Sequence, residues 1–222
     1  AIVNVRGSSA TRRADYVIQT QAGPEIGVAA TKTYVSQLIA IYLFSALLAD
    51  DQDLLKRLEK VPDYIDEVLK KHIIDCLFLS ELVNNMTEGT FDLIDVGSGA
   101  GFPSLPTAAV LDDFSVNALD STAKKIGHIK STAEKLGLAR VSGTAGRAEE
   151  LASTAMRESF DVVTARAVSA MPVLIELAAP FVKVGGQMLC WKGPGAAEEV
   201  PAAKSAIAQL GGGQTSNAMF AG

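Results

Sequence analysis

The residues best placed to do chemistry lie in the run Asp95-Val96-Gly97-Ser98-Gly99-Ala100-Gly101-Phe102-Pro103. Ile94 and Val96 read as the end of a buried strand that runs straight into glycines. Glycine lacks a Cβ, so the backbone there can turn sharply and approach a ligand closely. The dinucleotide fingerprint G-x-G-x-x-G does not fit, because Phe102 stands where its third glycine belongs. What fits is an acid followed by G-x-G-x-G; the plain alternative is an ordinary strand–turn–helix loop. Asp120 follows 25 residues after Asp95. That spacing suits an acid on the next strand accepting hydrogen bonds from ribose hydroxyls. Further along, Ala148 and Glu149 sit in Gly146-Arg147-Ala148-Glu149-Glu150, and Arg166 closes the strand-like Phe160 to Ala165.

These groups need a frame that brings strand ends together. Val116 to Leu119 reads as a second strand, and Thr122 to Leu136 as a helix. Its inward residues are Ala123, Ile126, Ile129, Ala133 and Leu136. Its lysines Lys124, Lys125, Lys130 and Lys135 face mostly outward, which reads as a solvated face in preference to an RNA track. Gly127 inside that helix costs roughly 1 kcal/mol against alanine. A third strand precedes Gly146, and Phe160 to Ala165 makes the fourth. Pro172 to Val182 reads as a helix, Gly185-Gly186 as a turn and Gln187 to Trp191 as the fifth strand. Such βα alternation predicts an α/β fold with a doubly wound, mostly parallel Rossmann-like sheet. Ligands bind such sheets at the carboxyl ends of the strands, where Asp95, Asp120, Glu149 and Arg166 fall.

Bulk properties narrow the choice further. The chain has 222 residues, 48% hydrophobic and 6% aromatic, with a net charge of −5. It is therefore no general polyanion binder, and any RNA contact needs a local basic patch. Cys76 and Cys190 are isolated in apolar contexts and read as buried thiols in a reducing compartment. His72 and His128 are the only histidines, which argues against a His-based metal site, and none is expected. The apolar run near Leu38 to Leu48 is short for a bilayer span, so a cytoplasmic protein without membrane contact is expected.

The acid-plus-glycine run resembles the first motif of class I S-adenosylmethionine-dependent methyltransferases. A longer resemblance, from His72 to about Leu210, is to the glucose-inhibited division protein B family. Those proteins methylate N7 of a guanine in 16S ribosomal RNA. It is carried by His72-Ile73-Ile74-Asp75-Cys76-Leu77 for the family's H-I-L-D-S-L, and by Gly101-Phe102-Pro103-Ser104-Leu105-Pro106, where Ser104 replaces a glycine. Gly146 to Glu150, Arg166-Ala167-Val168 and Lys192-Gly193-Pro194 continue it. The resemblance implies S-adenosyl-L-methionine as cofactor, with Gly97, Phe102, Ala148, Glu149 and Arg166 touching it. Asp95, Gly99, Gly101 and Asp120 follow from the glycine-motif argument. No catalytic residue is assigned. Guanine N7 carries a free lone pair and loses no proton on methylation, so in-line placement suffices. Positioning alone can supply roughly 7–11 kcal/mol of such a barrier.

The first 71 residues read differently. Ile2 to Val5 and Tyr16 to Gln19 are expected as strands, followed by a loop and a helix to about Ala49. Tyr34, Leu38, Ile41, Ser45 and Leu48 recur along that helix at three and four, the period of a one-sided apolar face. The loop Ala22-Gly23-Pro24-Glu25-Ile26-Gly27-Val28-Ala29-Ala30-Thr31-Lys32, with Asn4 to Ser9 upstream, closely resembles the sugar isomerase (SIS) domain of glutamine–fructose-6-phosphate aminotransferase. The likeness continues through Asp53 to Lys71. It implies a phosphosugar ligand near Val28, Ala30 and Thr31. Ala30 lacks the hydroxyl usual there, and the family's phosphate loop and isomerisation residues have no counterpart. Glu25 is a lone loop acid, more often solvated or capping than basic in catalysis.

Two domains are thus expected: an isomerase-like fragment over 1–71, and a methyltransferase domain over 72–222 lacking its last antiparallel strands. The family's N-terminal helices are replaced by the isomerase-like stretch, as in a gene fusion, an assembly artefact or a deliberately built chimera. From His72 onward, 11 Lys and Arg stand against 16 Asp and Glu, a net of −5. The expected partner, 16S rRNA or the small ribosomal subunit, should therefore be bound weakly. The sequence leaves the oligomeric state open.

Overall fold

The computed structural model describes residues 1–23, 31–86, 89–111, 114–193 and 195–216. The chain divides into two units, residues 1–72 and 73–222. The first contains β1 (Ile2–Val3), α1 (Ser9–Arg13), β2 (Ile18–Gln19), α2 (Thr31–Leu48) and α3 (Gln52–Glu59). It also holds the start of α4 (Val61–Met86). The strands are shorter than the sequence suggests. Ile2 pairs with Ile18 and Val3 with Gln19, in parallel. Beyond them Asn4 spends its side chain on loop backbone, accepting from Ala22 N at 2.7 Å and donating to Gly23 O at 2.7 Å. The turn after it enters α1, with Ser8 as its N-cap.

The expected apolar stripe of α2 is not a buried face. Tyr34 is 60%, Ile41 47% and Leu48 74% exposed. The reason is that α2 is apolar on every side: Val35, Tyr42, Leu43, Phe44 and Leu47 are exposed as well. Such a helix has no single direction in which to bury itself. Among the described residues of this unit only Ala46 is buried, so local periodicity has built elements there without a core.

The second unit is built around one sheet of β3 (Phe91–Val96), β4 (Phe114–Asp120), β5 (Val141–Ala145), β6 (Phe160–Arg166) and β7 (Val182–Trp191). The order is β5-β4-β3-β6-β7 and all four pairings are parallel. α5 (Ser104–Ala108), α6 (Ala123–Lys135), α7 (Ala148–Leu151), α8 (Met171–Ala178) and α9 (Ala196–Gln209) cover its two faces. Leu79 and Val83 of α4 pack on one face with Leu93, Val116 and Val162, around stacked Phe91 and Phe114. Ile126, Ile129 and Ala133 of α6 join Ala118 on that same face. The alternate residues Ile94, Val96, Leu119, Val163 and Ala165 pack with Leu174 and Ala178 of α8 and with Phe181. Period-two side chains with helices on both faces make a doubly wound sheet.

Several local expectations change. Ala123 is exposed, and so is Leu136, at 60%; both stand at the ends of α6, beyond the strands it covers. The expected helix from Pro172 to Val182 ends at Ala178 and finishes as a 3-10 turn over Ala179–Phe181. Its Pro180 has no N–H to continue the ladder. Gly185 and Gly186 do not make the turn before the last strand. They form an irregularity inside β7, where the register jumps from Phe160↔Val182 to Val162↔Gln187. A Cβ on Gly186 would lie 2.7 Å from the Asp161 carbonyl, which explains the glycine. Cys76 is buried as expected; Cys190, on the outer strand β7, is only half-buried.

Candidate functional site

The strand order reverses between β3 and β6, the two strands that run in opposite connection directions from the centre. The loops leaving their carboxyl ends part there and open a crevice. On the β3 side stands the glycine run. Gly97 and Ser98 both donate their amides to Leu119 O, at 2.8 and 3.0 Å, pinning the run to the end of β4. Gly97 has φ of 76°, and a Cβ on it would fall 2.6 Å from Val168 Cγ2. Gly99, at φ of 57°, faces open space instead: the nearest atom to its would-be Cβ is Gly97 O, at 3.8 Å. Of the two, Gly97 is a packing glycine, while Gly99 leaves a gap beside bare backbone. Gly101 is buried against Leu105, and Phe102 is half-buried beside it.

Asp120 ends β4 and is 7% exposed. Its Oδ2 accepts from Gly99 N at 3.1 Å and from Lys125 Nζ at 3.2 Å, and its Oδ1 from Thr122 N at 2.9 Å. The acid at the end of β4 is therefore in direct contact with the glycine run and orients its turn. Asp95 faces away from solvent, 1% exposed. Its carboxyl accepts from the Ser104 hydroxyl and, at 3.0 Å, from the Thr164 hydroxyl. Burial pushes its pKa up to about 6, against the opposing pull of those hydroxyls and of Arg166. Asp95 thus clamps β3 to β6 and to the start of α5 beneath the loop.

The other candidates ring the same strand ends. Ala148 is half-buried and Glu149 exposed at the start of α7, just past β5. The backbone amide of Glu149, and then Arg147, whose Nε donates to Glu149 Oε1 at 2.6 Å, hold that carboxyl below its ordinary range. Arg166, at the end of β6, reaches Asp75 Oδ2 and Cys76 Sγ on α4, each at 3.3 Å. Desolvation pushes the Cys76 thiol up to about 11, Arg166 pulling the other way, so the thiol stays protonated. Ser104, Thr164, Lys125 and Val168 were not among the expected site residues. Thr164 meets Asp95 only through β-pairing across the two strands, and no spacing in the sequence announces such a neighbour. Val28 and Ala30 lie outside the described residues, and Thr31 is the first residue of α2.

Comparison with known proteins bears on the same stretch. The sequence model of the rRNA small subunit methyltransferase G family matches residues 57–221. The chain belongs to that family. A model of the SIS domain matches residues 1–47. The methyltransferase G match thus begins within the segment that the isomerase resemblance was expected to cover up to Lys71. A ribosomal RNA small subunit methyltransferase G of Deinococcus radiodurans is 42% identical over 148 residues, 66% of this chain and 58% of the relative. One of Clostridium botulinum is 34% identical over 198 residues, 89% of this chain and 80% of the relative. Against the first of these methyltransferase G relatives, the chain thus spans about three fifths of the relative's length. Among solved structures, a putative S-adenosyl-L-methionine-dependent methyltransferase from Methanococcus maripaludis matches with a TM-score of 0.47 and 19% identity. It covers 66% of this chain and 69% of its own.

A cavity of about 250 Å³ lined by Thr90, Phe91, Asp92, Phe114, Ser115 and Arg140 lies at the opposite, amino-terminal ends of β3 and β4. Parallel sheets bind ligands at the other end. Among the described residues no His, Cys, Asp and Glu cluster could hold a metal, and no helix is long and apolar enough to cross a membrane.

Proposed function

We propose that residues 73–222 bind S-adenosyl-L-methionine and transfer its methyl group to N7 of a guanine in 16S rRNA. The observation that carries this reading is the Gly99–Asp120 pair, which joins the carboxyl ends of β3 and β4 beside the switch point of the sheet, in a member of the methyltransferase G family. The fit is physical. Gly99 leaves open space against bare backbone, where an extended ligand can lie. Asp120 presents a carboxylate at the next strand end, and Lys125 is the partner that ribose hydroxyls can supplement or displace. Ala148 offers a small apolar surface on the far side for an adenine.

When bound, the cofactor supplies an electrophilic methyl on a sulfonium centre. The chain's own work is to bind and orient. Asp120 fixes the ribose end; Gly97, Gly99, Gly101 and Phe102 shape the floor; Glu149 borders the base and Arg166 the mouth. Asp95 holds that floor in place from below. The guanine must be presented from a loop or bulge, since the major groove of duplex RNA is too deep and narrow to admit side chains. No residue need remove a proton from N7. A cytoplasmic location follows from such a substrate.

Calorimetric titration with S-adenosylhomocysteine tests the reading. The full chain should bind, and Gly99→Arg, which fills the gap, should not. Equal behaviour of the two proteins removes the cofactor assignment. The SIS match over residues 1–47 supports a second reading, a phosphosugar held near Val28, Ala30 and Thr31. Fructose 6-phosphate should leave the melting temperature unchanged; a shift of several degrees would favour that second reading.

A further inference from the structure

The turn joining β6 to α8 is held more firmly than its length requires. It begins at Arg166, and Ala167 has a φ of 54°, a left-handed conformation that costs a non-glycine residue energy and persists only where neighbours enforce it. Val168 lies against Gly97, close enough that a single added methyl there would collide with it. The next carbonyl, Ser169 O, accepts from Lys192 Nζ at 2.7 Å. Lys192, only 12% exposed, also pairs with Glu199 Oε2 at 2.7 Å. The same Glu199 oxygen accepts the amide of Met171 at 2.9 Å, the first N–H of α8 and one that the helix cannot itself satisfy. One ion pair therefore grips the turn on both sides of Ala170, from the end of β7 and from α9.

We propose that Lys192 and Glu199 are positioning residues for the cofactor loop: they fix the Arg166–Met171 turn, and Val168 transmits that order to Gly97. This rests on the cofactor reading above. A pair that merely anchors α9 would stabilise the fold without touching the glycine run. The geometry predicts more, because Val168 on Gly97 and Ser169 on Lys192 are held one residue apart. Freeing the second lets Ala167 relax from its left-handed conformation, and Val168 moves with it.

The test combines amide hydrogen exchange with titration by S-adenosylhomocysteine on the full chain. Lys192→Met and Glu199→Ala should speed exchange at residues 97–101 as well as 167–171, and weaken binding about tenfold or more. Lys192→Arg, which keeps the cation, should stay within about threefold of the parent. Val168→Ala should reproduce the exchange effect at residues 97–101 with the ion pair intact. Glu199→Gln keeps an acceptor for Met171 N and removes only the charge, so it carries the test where a larger change unfolds the chain. Faster exchange confined to 169–171 and α9, or unchanged affinity despite faster exchange at 97–101, would overturn the proposal. Absence of binding in the parent chain sinks the cofactor reading instead, and the exchange pattern then still decides whether the pair orders the glycine run.

Discussion

Asp95 and Gly97 show how differently neighbouring residues of one motif are used. Asp95 is an acid whose pKa is raised from 3.8 to about 6 by burial. The folded state therefore holds its proton to higher pH than the unfolded chain does. Its contribution to stability falls as pH rises from about 4 to about 6 and stays lower above that. The full difference is roughly 3 kcal/mol at most, from about two pKa units. Asp95→Asn should remove this decline and raise stability at pH 7, measured by urea unfolding across that range. A variant whose unfolding follows the parent's pH dependence would show that Asp95 is not the responsible group. Gly97 makes the opposite case. Gly97→Ala meets both a positive φ and Val168, and should cost on the order of 1–3 kcal/mol. Gly99→Ala meets only the positive φ and should cost less in stability. Thermal melts of the two variants separate packing from ligand clearance.

Helix α6 carries an element-scale test. A Cβ on Gly127 would meet nothing within 4 Å, and the residue is exposed. No packing or turn requires a glycine there, so Gly127→Ala should stabilise the chain by about 1 kcal/mol. The structure gives no physical account of why glycine occupies that position. A loss of stability on that substitution, read in thermal melts, would show that the space beside Gly127 does not accept a methyl group. The same helix brings Lys125 back to Asp120, while Lys124, Lys130 and Lys135 stand exposed on its outer side. Only one of the four lysines is drawn into the site, in keeping with a largely solvated face.

Across the whole molecule the two units differ in kind. Residues 73–222 enclose four apolar clusters about a five-stranded sheet, whereas among the described residues 1–72 only Ala46 is buried. Buried apolar area is what resists local opening. Limited proteolysis should therefore cut within residues 1–72 first and leave a resistant fragment beginning near His72. Persistence of the intact chain under those conditions would show that the first unit is protected after all. The net of −5 from His72 onward also bears on RNA. Phosphate contacts supply much of nonspecific affinity, so methyl transfer to small ribosomal subunits should be strongly reduced even where S-adenosylhomocysteine binds. Tritiated methyl transfer to subunits lacking this modification, beside a full-length family member, measures it. Turnover equal to that control removes the charge argument.

The α/β alternation, the acid-plus-glycine run and the position of Asp120 were legible in the sequence because they are local. Each rests on chain period, on glycine's lack of a Cβ, or on the length of one βα unit. The family resemblance over the second unit was legible for the same reason, being carried by short contiguous motifs. What only the tertiary structure decided is who meets whom across long separations. Thr164 reaches Asp95 by strand pairing, and Val168 lies over Gly97 because β6 runs beside β3. Arg166 turns to Asp75 and Cys76 on α4, and Lys192 closes on Ser169 and Glu199. The apolar period in α2 misled, because a period states which side can be buried and not whether anything covers it. Burial belongs to the assembled sheet and helices, and no stretch of sequence holds that information alone.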